Sequence, residues 1–309
     1  MNLNLNALSK DKPYLFFLGS AIFLVLIISF LFGVIIWEAY PVLSKTGILQ
    51  FIFGTKWNYD EHQYGVWIFI VGTFAMTITT MCMAVPLGLF TAIYLAEFSH
   101  PKLEGVLKTS IELLVGIPSV VYGIFGAFIL QHFLKSNFNP IIDSTLGQIS
   151  PVFKDVSGEG EGIFLAAVIL TVMIIPTIIS ISENALRSVS RNYKEASYSL
   201  GATRWETIQK VTIPTAMPGI LAGITLGMTR ALGETMAIAM LLGNKEQIPT
   251  TVFDSGYAMT TKILSDLPYY MGDTEAQSAL FGIAALLFVV EAILILAVRL
   301  IGKGGAQNA

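Results

Sequence analysis

Charge is scarce in this chain of 309 residues: 13% are Asp, Glu, Lys or Arg, against roughly 25% in an average soluble domain. With 54% hydrophobic residues, the composition excludes an ordinary soluble enzyme and reads as an integral membrane protein. Cysteine is nearly absent. Cys82 stands alone, so neither an internal disulfide nor a thiolate metal cluster can form, and it reads as a small apolar filler. The three histidines, His62, His100 and His132, follow no HExxH or paired spacing, which favours surface or interface roles over a metal site. A formal net charge of -3 without a basic tract leaves nothing to hold nucleic acid. No GxxxxGK[ST] occurs either. GKGG at 302–305 has a lysine but neither the spacing nor the hydroxyl, so the chain has no P-loop with which to hydrolyse ATP. Fixed-period repeats, low-complexity linkers and a soluble catalytic domain are also missing.

What is present is a series of apolar runs. Hydropathy places six spans, at 14–37, 65–96, 108–134, 161–186, 213–243 and 277–300, each long enough at about 1.5 Å per residue to cross about 30 Å of hydrocarbon. The expected fold is therefore an all-α integral membrane protein with six transmembrane helices. Lys10 and Lys12 precede the first run, which is longer than a signal-peptide core and lacks an A-x-A cleavage pattern, so it stays as a span. Lys102, Lys108, Arg187, Arg191, Lys194, Arg204, Lys210, Arg299 and Lys303 join those two lysines on one side, in short connections. The opposite side carries fewer cations over longer loops, so the denser side is cytoplasmic and both termini lie inside. Residues 1–64 hold the first span and first outer loop, 65–303 the main transmembrane domain, and 304–309 a short tail. The outer stretches 58–62, 158–162 and 266–275 read as partly ordered loops.

Between the fourth and fifth spans lies the most basic inner segment, at about 187–214. Tyr193 to Leu200 mixes Ala, Leu, Tyr and Ser at helical spacing, Gly201 suits a C-cap, and Thr203 with Glu206 completes a capping box before a second short helix that should end at Pro214. An ordinary hairpin would read the same way. Small residues that allow close approach, with Arg204 and Trp205 as anchors, would equally suit a partner surface.

Arg230 and Glu234 sit inside the fifth apolar run. At helical spacing they would be one turn apart on one face, able to pair. An arginine alone at mid-bilayer costs about 2.5–3.5 kcal/mol on insertion scales, so it should face protein or water. Gly219, Gly223 and Gly227 form a small-residue stripe, and Arg230 lies about 20° from the direction of Gly223. Two readings stay open. The pair is a register-fixing salt bridge, or it lines an anion path in which Arg230 grips oxyanion oxygens and Glu234 accepts a hydrogen bond from a protonated anion, which would admit phosphate and repel sulfate. Pro118, in GIPSVVYG at 116–123, should break or kink the third span, with a helix restarting at Ser119; either a cavity or plain packing would accommodate it. Glu183 with Arg187, and Lys108 with Glu112, have the spacing of helical salt bridges, and Glu291 reads as an interhelical hydrogen-bonding group.

Glu195, Ala196, Ser197, Gly201, Val211, Ile213 and Pro214 resemble the EAA loop of bacterial ABC importer permeases, with Ser197, Val211 and Ile213 as conservative departures. Together with GIPSVVYG and RALGETMA at 230–237, the chain from about residue 65 onward resembles the PstC-type permease of the phosphate-specific ABC importer. The resemblance implies a type I importer fold with a coupling-helix loop, in a bacterial inner membrane and in contact with its lipid. It implies a PstA-like second permease, a PstB-like ATPase dimer and a PstS-like phosphate-binding protein. No cofactor is expected on this chain, since ATP and Mg would be used by the ATPase. Arg230, Glu234, Ser119 and Thr235 would belong to the substrate pathway, and Glu195, Ala196, Gly201, Arg204 and Trp205 to ATPase coupling. The rivals are an importer for another oxyanion such as phosphonate or molybdate, a proton-coupled anion transporter, and a non-transporting scaffold.

Overall fold

The apolar runs fold as long helices in the computed structural model, which describes residues 12–154, 158 and 160–307. Lys10, Glu159 and the last two residues of the expected tail lie outside the described residues. Helix α1 (Lys12–Thr46) runs beyond the expected 14–37. Its apolar surface is almost wholly exposed, as suits a span that faces lipid. After the short α2 (Ile48–Phe53), strands β1 (Trp57–Asn58) and β2 (Gln63–Tyr64) make an antiparallel hairpin with Trp57 opposite Tyr64. Helix α3 (Trp67–Phe98) follows, ending in a π turn at Tyr94–Phe98. The threonines of α3 are neutralised locally: Thr73, Thr77 and Thr80 donate their hydroxyls to carbonyls one turn back at 2.7–2.8 Å.

Helix α4 (Pro101–Val115) and helix α5 (Ser119–Ile149) follow, bent by 92° at the break between them. Helix α6 (Ile163–Arg187) is the central span, with Leu170, Ile174 and Ile178 fully buried. Its N-terminal end is capped by loop carbonyls: the amides of Ile163 and Phe164 donate to Asp254 and Val252 at 3.1 and 2.7 Å. Next come α7 (Arg191–Ser199), α8 (Arg204–Gly233), α9 (Met236–Leu241), α10 (Met259–Tyr270) and α11 (Thr274–Gln307). Among the described residues, five helices are long and apolar enough to cross a membrane, and the bent pair α4 and α5 makes up to six.

The glycine stripe of α8 packs as the spacing predicts. A Cβ at Gly219, Gly223 or Gly227 would lie 2.4 Å from the Ala185 Cβ, 3.2 Å from the Ile181 Cβ and 2.9 Å from the Ile178 Cγ1 of α6. Helix α11 is tied to α1 by Ser278, whose hydroxyl donates to the Glu38 carbonyl at 2.7 Å and accepts the Val42 amide at 3.1 Å.

Several expectations are corrected. The fifth span is not continuous over 213–243 but stops at Gly233 and restarts at Met236. The second short helix does not end at Pro214; it continues into the span, because a π turn at Ile208–Thr212 already interrupts the regular hydrogen-bond ladder where the proline lacks its N–H. Much of the expected loop 266–275 is the end of α10, which packs against the hairpin. Cys82 is exposed on α3 rather than filling the core. Lys108 reaches Glu183 of α6 at 3.2 Å in preference to its helical neighbour Glu112, because the Glu183 carboxylate is buried and lacks water.

Candidate functional site

Pro118 cannot donate to the helical ladder and holds an extended backbone, with ψ 141°, so α4 ends at Val115 and α5 starts afresh at Ser119. The break is pinned from inside: the Tyr122 hydroxyl donates to the Leu114 carbonyl at 2.9 Å. The Leu114 carbonyl otherwise has only backbone donors of the terminal turn, such as the Ile117 amide at 3.4 Å, and the hydroxyl adds a shorter bond.

The fifth span breaks by a different device. Gly233 ends α8, and Glu234 takes an extended conformation at ψ 134°. The freed groups find side-chain partners. Thr235 donates to the Gly233 carbonyl at 3.1 Å, Thr260 of α10 donates to the Glu234 carbonyl at 2.9 Å, and the Glu234 carboxylate accepts the Ala237 amide at 3.3 Å. That accounting makes non-helical backbone tolerable at membrane depth.

The two breaks adjoin. A Cβ at Gly123 of α5 would lie 3.2 Å from the Ala237 Cα and 2.9 Å from the Met240 Sδ of α9, and Arg230 stands in the last turn of α8, just before the break. Because the chain turns at Glu234, the expected side-by-side pairing with Arg230 is not made. Glu234 is used to cap α9, and among the described residues no hydrogen bond or ion pair engages the half-buried Arg230. Its five N–H donors are therefore available to an oxyanion, for which the planar fork is suited. Beside the break lies an open cavity of about 350 Å³ lined by Thr235, Thr260, Ile263, Leu264, Leu267 and Pro268. Ser119, Arg230, Glu234 and Thr235 thus belong to the two joints where the spans are broken. Glu291 of α11 makes no hydrogen bond among the described residues, against expectation; its carboxylate lies next to Gly233, with Oε1 3.7 Å from where a Cβ there would stand.

The segment at 187–214 is a helix, a turn and a helix, as its pattern predicts. Ser190 caps α7 by accepting the Asn192 amide, and Gly201 takes φ 84°, the left-handed turn that favours glycine. Thr203 and Glu206 form the capping box in both directions, at 3.3 and 2.9 Å. Glu195 and Ala196 are exposed, and Tyr193, Tyr198, Leu200 and Trp205 present apolar surface outward. Arg204 does the opposite: its guanidinium bonds the Glu97 carbonyl and lies 4.6 Å over the Phe98 ring. It anchors the segment to its own subunit instead of offering a free cation beside Trp205.

Two clusters escaped the sequence reading. At the C-terminal end of α6, the buried Glu183 carboxylate meets Arg187 at 2.7 Å and Lys108 at 3.2 Å, while Arg187 also reaches Glu104 at 2.8 Å. Only the Glu183–Arg187 contact was visible in the spacing. On α10, the Lys262 side chain is 4% exposed and meets Glu246 at 2.6 Å and Asp266 at 2.7 Å. The rings of Trp57, Tyr59, Phe69 and Tyr257 surround its ammonium at 5.1–5.5 Å. Burial and the Asp266 carboxylate push the Tyr59 phenol well above its ordinary range. Helical spacing marks one pair in each cluster, Glu183–Arg187 and Lys262–Asp266; the other partners come from segments that no local pattern joins.

A family model described as "Binding-protein-dependent transport system inner membrane component" matches residues 84–304. The chain is 37% identical over 253 residues to the "Probable ABC transporter permease protein YqgH" of Bacillus subtilis, covering 81% of this chain and 76% of that protein. It is 32% identical over 309 residues to the "Phosphate transport system permease protein PstC" of Haemophilus influenzae, covering 95% and 96%. The Mesorhizobium japonicum protein of the same name is 35% identical over 256 residues, covering 82% and 77%. Among solved structures, the fold is similar to a chain of the MetNI methionine ABC transporter in an inward-facing conformation, with TM-score 0.54, 20% identity and coverage of 78% and 97%. It is also similar to a chain of a bacterial alginate ABC transporter in complex with its periplasmic protein, with TM-score 0.55, 18% identity and coverage of 91% and 92%. At these identities the likeness carries the fold alone.

Proposed function

The chain belongs to the family of binding-protein-dependent transport system inner membrane components, and on that premise we propose that it is a permease subunit of an ATP-driven inorganic phosphate importer. The observation that carries the reading is the half-buried Arg230, without an ion pair among the described residues, in the last turn before one of two broken spans that adjoin. An intramembrane arginine left uncompensated is unfavourable unless it has a ligand to bind or water to face. Phosphate at neutral pH offers both oxygens for the guanidinium and a proton for Glu234, whose second carboxylate oxygen has no hydrogen-bond partner among the described residues. Sulfate has no such proton and would meet repulsion. The names of the Haemophilus and Mesorhizobium relatives support phosphate.

In this reading the chain does no covalent chemistry. A PstA-like subunit completes the pathway, a PstS-like protein delivers phosphate from outside, and a PstB-like ATPase dimer uses ATP and Mg against the exposed face of α7 and Trp205. Both termini lie in the cytoplasm. Substrate delivery and ATP closure then shift the balance between inward-facing and outward-facing states. Arg230 and Ser119 line the path, with Glu234 and Thr235 at its bend, while Glu195, Ala196, Gly201 and Trp205 form the contact for the ATPase and Arg204 holds that contact to the subunit.

The test is phosphate uptake into proteoliposomes holding the full complex, with ATP inside and binding protein outside. Arg230→Gln and Glu195→Lys should each abolish uptake while the complex still assembles. Normal uptake by Arg230→Gln would remove the pathway assignment. Preferential competition by molybdate or phosphonate would replace phosphate with that anion.

A further inference from the structure

The C-terminal end of α3 is a meeting point of cations from three elements. Its last turn, Tyr94–Phe98, is a π turn, which carries one residue more than an α-helical turn and interrupts the regular carbonyl ladder. Arg187, at the end of α6, donates to the Leu95 carbonyl at 2.8 Å. Lys194 of α7 meets the Glu97 carboxylate at 2.5 Å. Arg204, at the start of α8, bonds the Glu97 carbonyl and covers the Phe98 ring. Cations at a helix C-terminus are favoured by the helix dipole, but the pairing with Glu97 is more specific. The Glu97 side chain is 8% exposed and that of Lys194 20%, so the pair is largely out of water and neither charge is readily replaced by solvent.

Glu97 thus grips α7 through its carboxylate, and its own carbonyl grips the residue that opens α8. Both short helices of the exposed segment are fastened to a single turn of the second span. From there α3 runs as one helix to Trp67, and near its N-terminal end the Thr73 hydroxyl accepts the Met259 amide of α10 at 2.9 Å. Helix α10 in turn holds the break at Glu234 through Thr260.

We propose that Glu97 is a positioning residue for coupling: by holding Lys194, and through its carbonyl Arg204, it makes α7 and α3 move as one lever, so that displacement of α7 reaches the broken fifth span. This rests on the reading of α7 as the ATPase contact. The structure assigns the lever to a carboxylate outside the EAA pattern, in a different span from the loop itself.

The experiment uses the reconstituted complex and compares two quantities, ATP hydrolysis stimulated by the loaded binding protein and anion moved per ATP hydrolysed. Glu97→Gln should lower the anion moved per ATP about tenfold while hydrolysis continues, a change within the range by which substitutions along a coupling chain alter communication between sites. Glu97→Lys should do the same, and Glu97→Lys combined with Lys194→Glu should recover the ratio to within about threefold of native, because the pair is restored with its charges exchanged. If Glu97→Gln does not assemble, Lys194→Gln breaks the same pair from the more exposed side and is read the same way. A contact that only stabilises the loop would lower thermal stability with the ratio unchanged; that result, or a double exchange no better than Glu97→Lys alone, would overturn the proposal. If the native complex moves no phosphate, the substrate reading fails separately, and the ratio is measured with the anion it does accumulate.

Discussion

Thr260 donates its hydroxyl to the carbonyl of Glu234 at 2.9 Å, so helix α10 is bonded to the residue at which the fifth span breaks. A carbonyl released from a helix inside a membrane must find a donor, and here the donor comes from a helix whose own position is set by the buried Lys262 two residues further on. The break and the Lys262 cluster are therefore one mechanical unit.

Removing that donor should loosen the unit. Thr260→Val keeps the side-chain shape but leaves the Glu234 carbonyl unpaired, at a cost of about 1–3 kcal/mol. We expect a lower unfolding temperature in detergent and reduced phosphate uptake, with Thr260→Ser near native in both. Native behaviour in Thr260→Val would show that another donor takes over.

Gly72 lets α3 pass the loop before α10. A Cβ there would stand 2.3 Å from the Tyr257 carbonyl oxygen and 3.0 Å from its carbon. Backbone cannot move aside as a side chain can, so Gly72→Ala should destabilise the protein by about 1–3 kcal/mol or more. Gly105, inside α4 with nothing within 4 Å of an added Cβ, is the control: Gly105→Ala should be neutral or stabilising by up to about 1 kcal/mol. Thermal unfolding of the two variants side by side checks both.

Lys262 neutralises Asp266 and Glu246 among aromatic rings. Lys262→Met retains much of the packing but strands the Asp266 carboxylate, 16% exposed, and should destabilise by about 3 kcal/mol. Adding Asp266→Asn should restore part of the loss. Should the double variant be no more stable than Lys262→Met, the rings and not the carboxylates hold the lysine.

Asp254 sets a pH limit on the loop that caps α6. Burial alone would raise its carboxyl, but hydrogen bonds from the amides and hydroxyls of Thr250 and Thr251 outweigh it and hold the group below the usual range. Its contribution is present in full above the unfolded value of about 3.9 and is lost as pH falls through the lower folded value. Below about pH 4, then, the native protein should lose stability in a way that Asp254→Asn, already weaker at neutral pH, does not. Unfolding temperatures over pH 3–6 for the two proteins would reveal parallel curves if Asp254 plays no part.

Much of this molecule is written locally. A run of apolar residues long enough for the bilayer must form a helix, because no other open structure satisfies its backbone there, and so the spans were legible. The break at Pro118 was legible because proline lacks the amide, and the Thr203–Glu206 box and the turn at Gly201 because each needs only its own few residues. The glycine stripe of α8 announced a close neighbour without saying which.

What the sequence by itself determined is the helical membrane fold, the short helices at 187–214 and the set of charges unfit for lipid. Tertiary structure alone decided how those charges are used. At helical spacing Arg230 and Glu234 are partners; the break at Glu234, stabilised by Thr260 from α10 and by the Ala237 amide, separates them and leaves the arginine without an ion pair among the described residues. Lys108 likewise prefers Glu183 across a helix interface to Glu112 on its own, and Lys194 and Arg204 turn inward to Glu97. For Lys108 and Lys194 the physical reason is the same. A charge removed from water is governed by the strongest partner that packing brings within reach, and that partner belongs to a segment no local spacing can name.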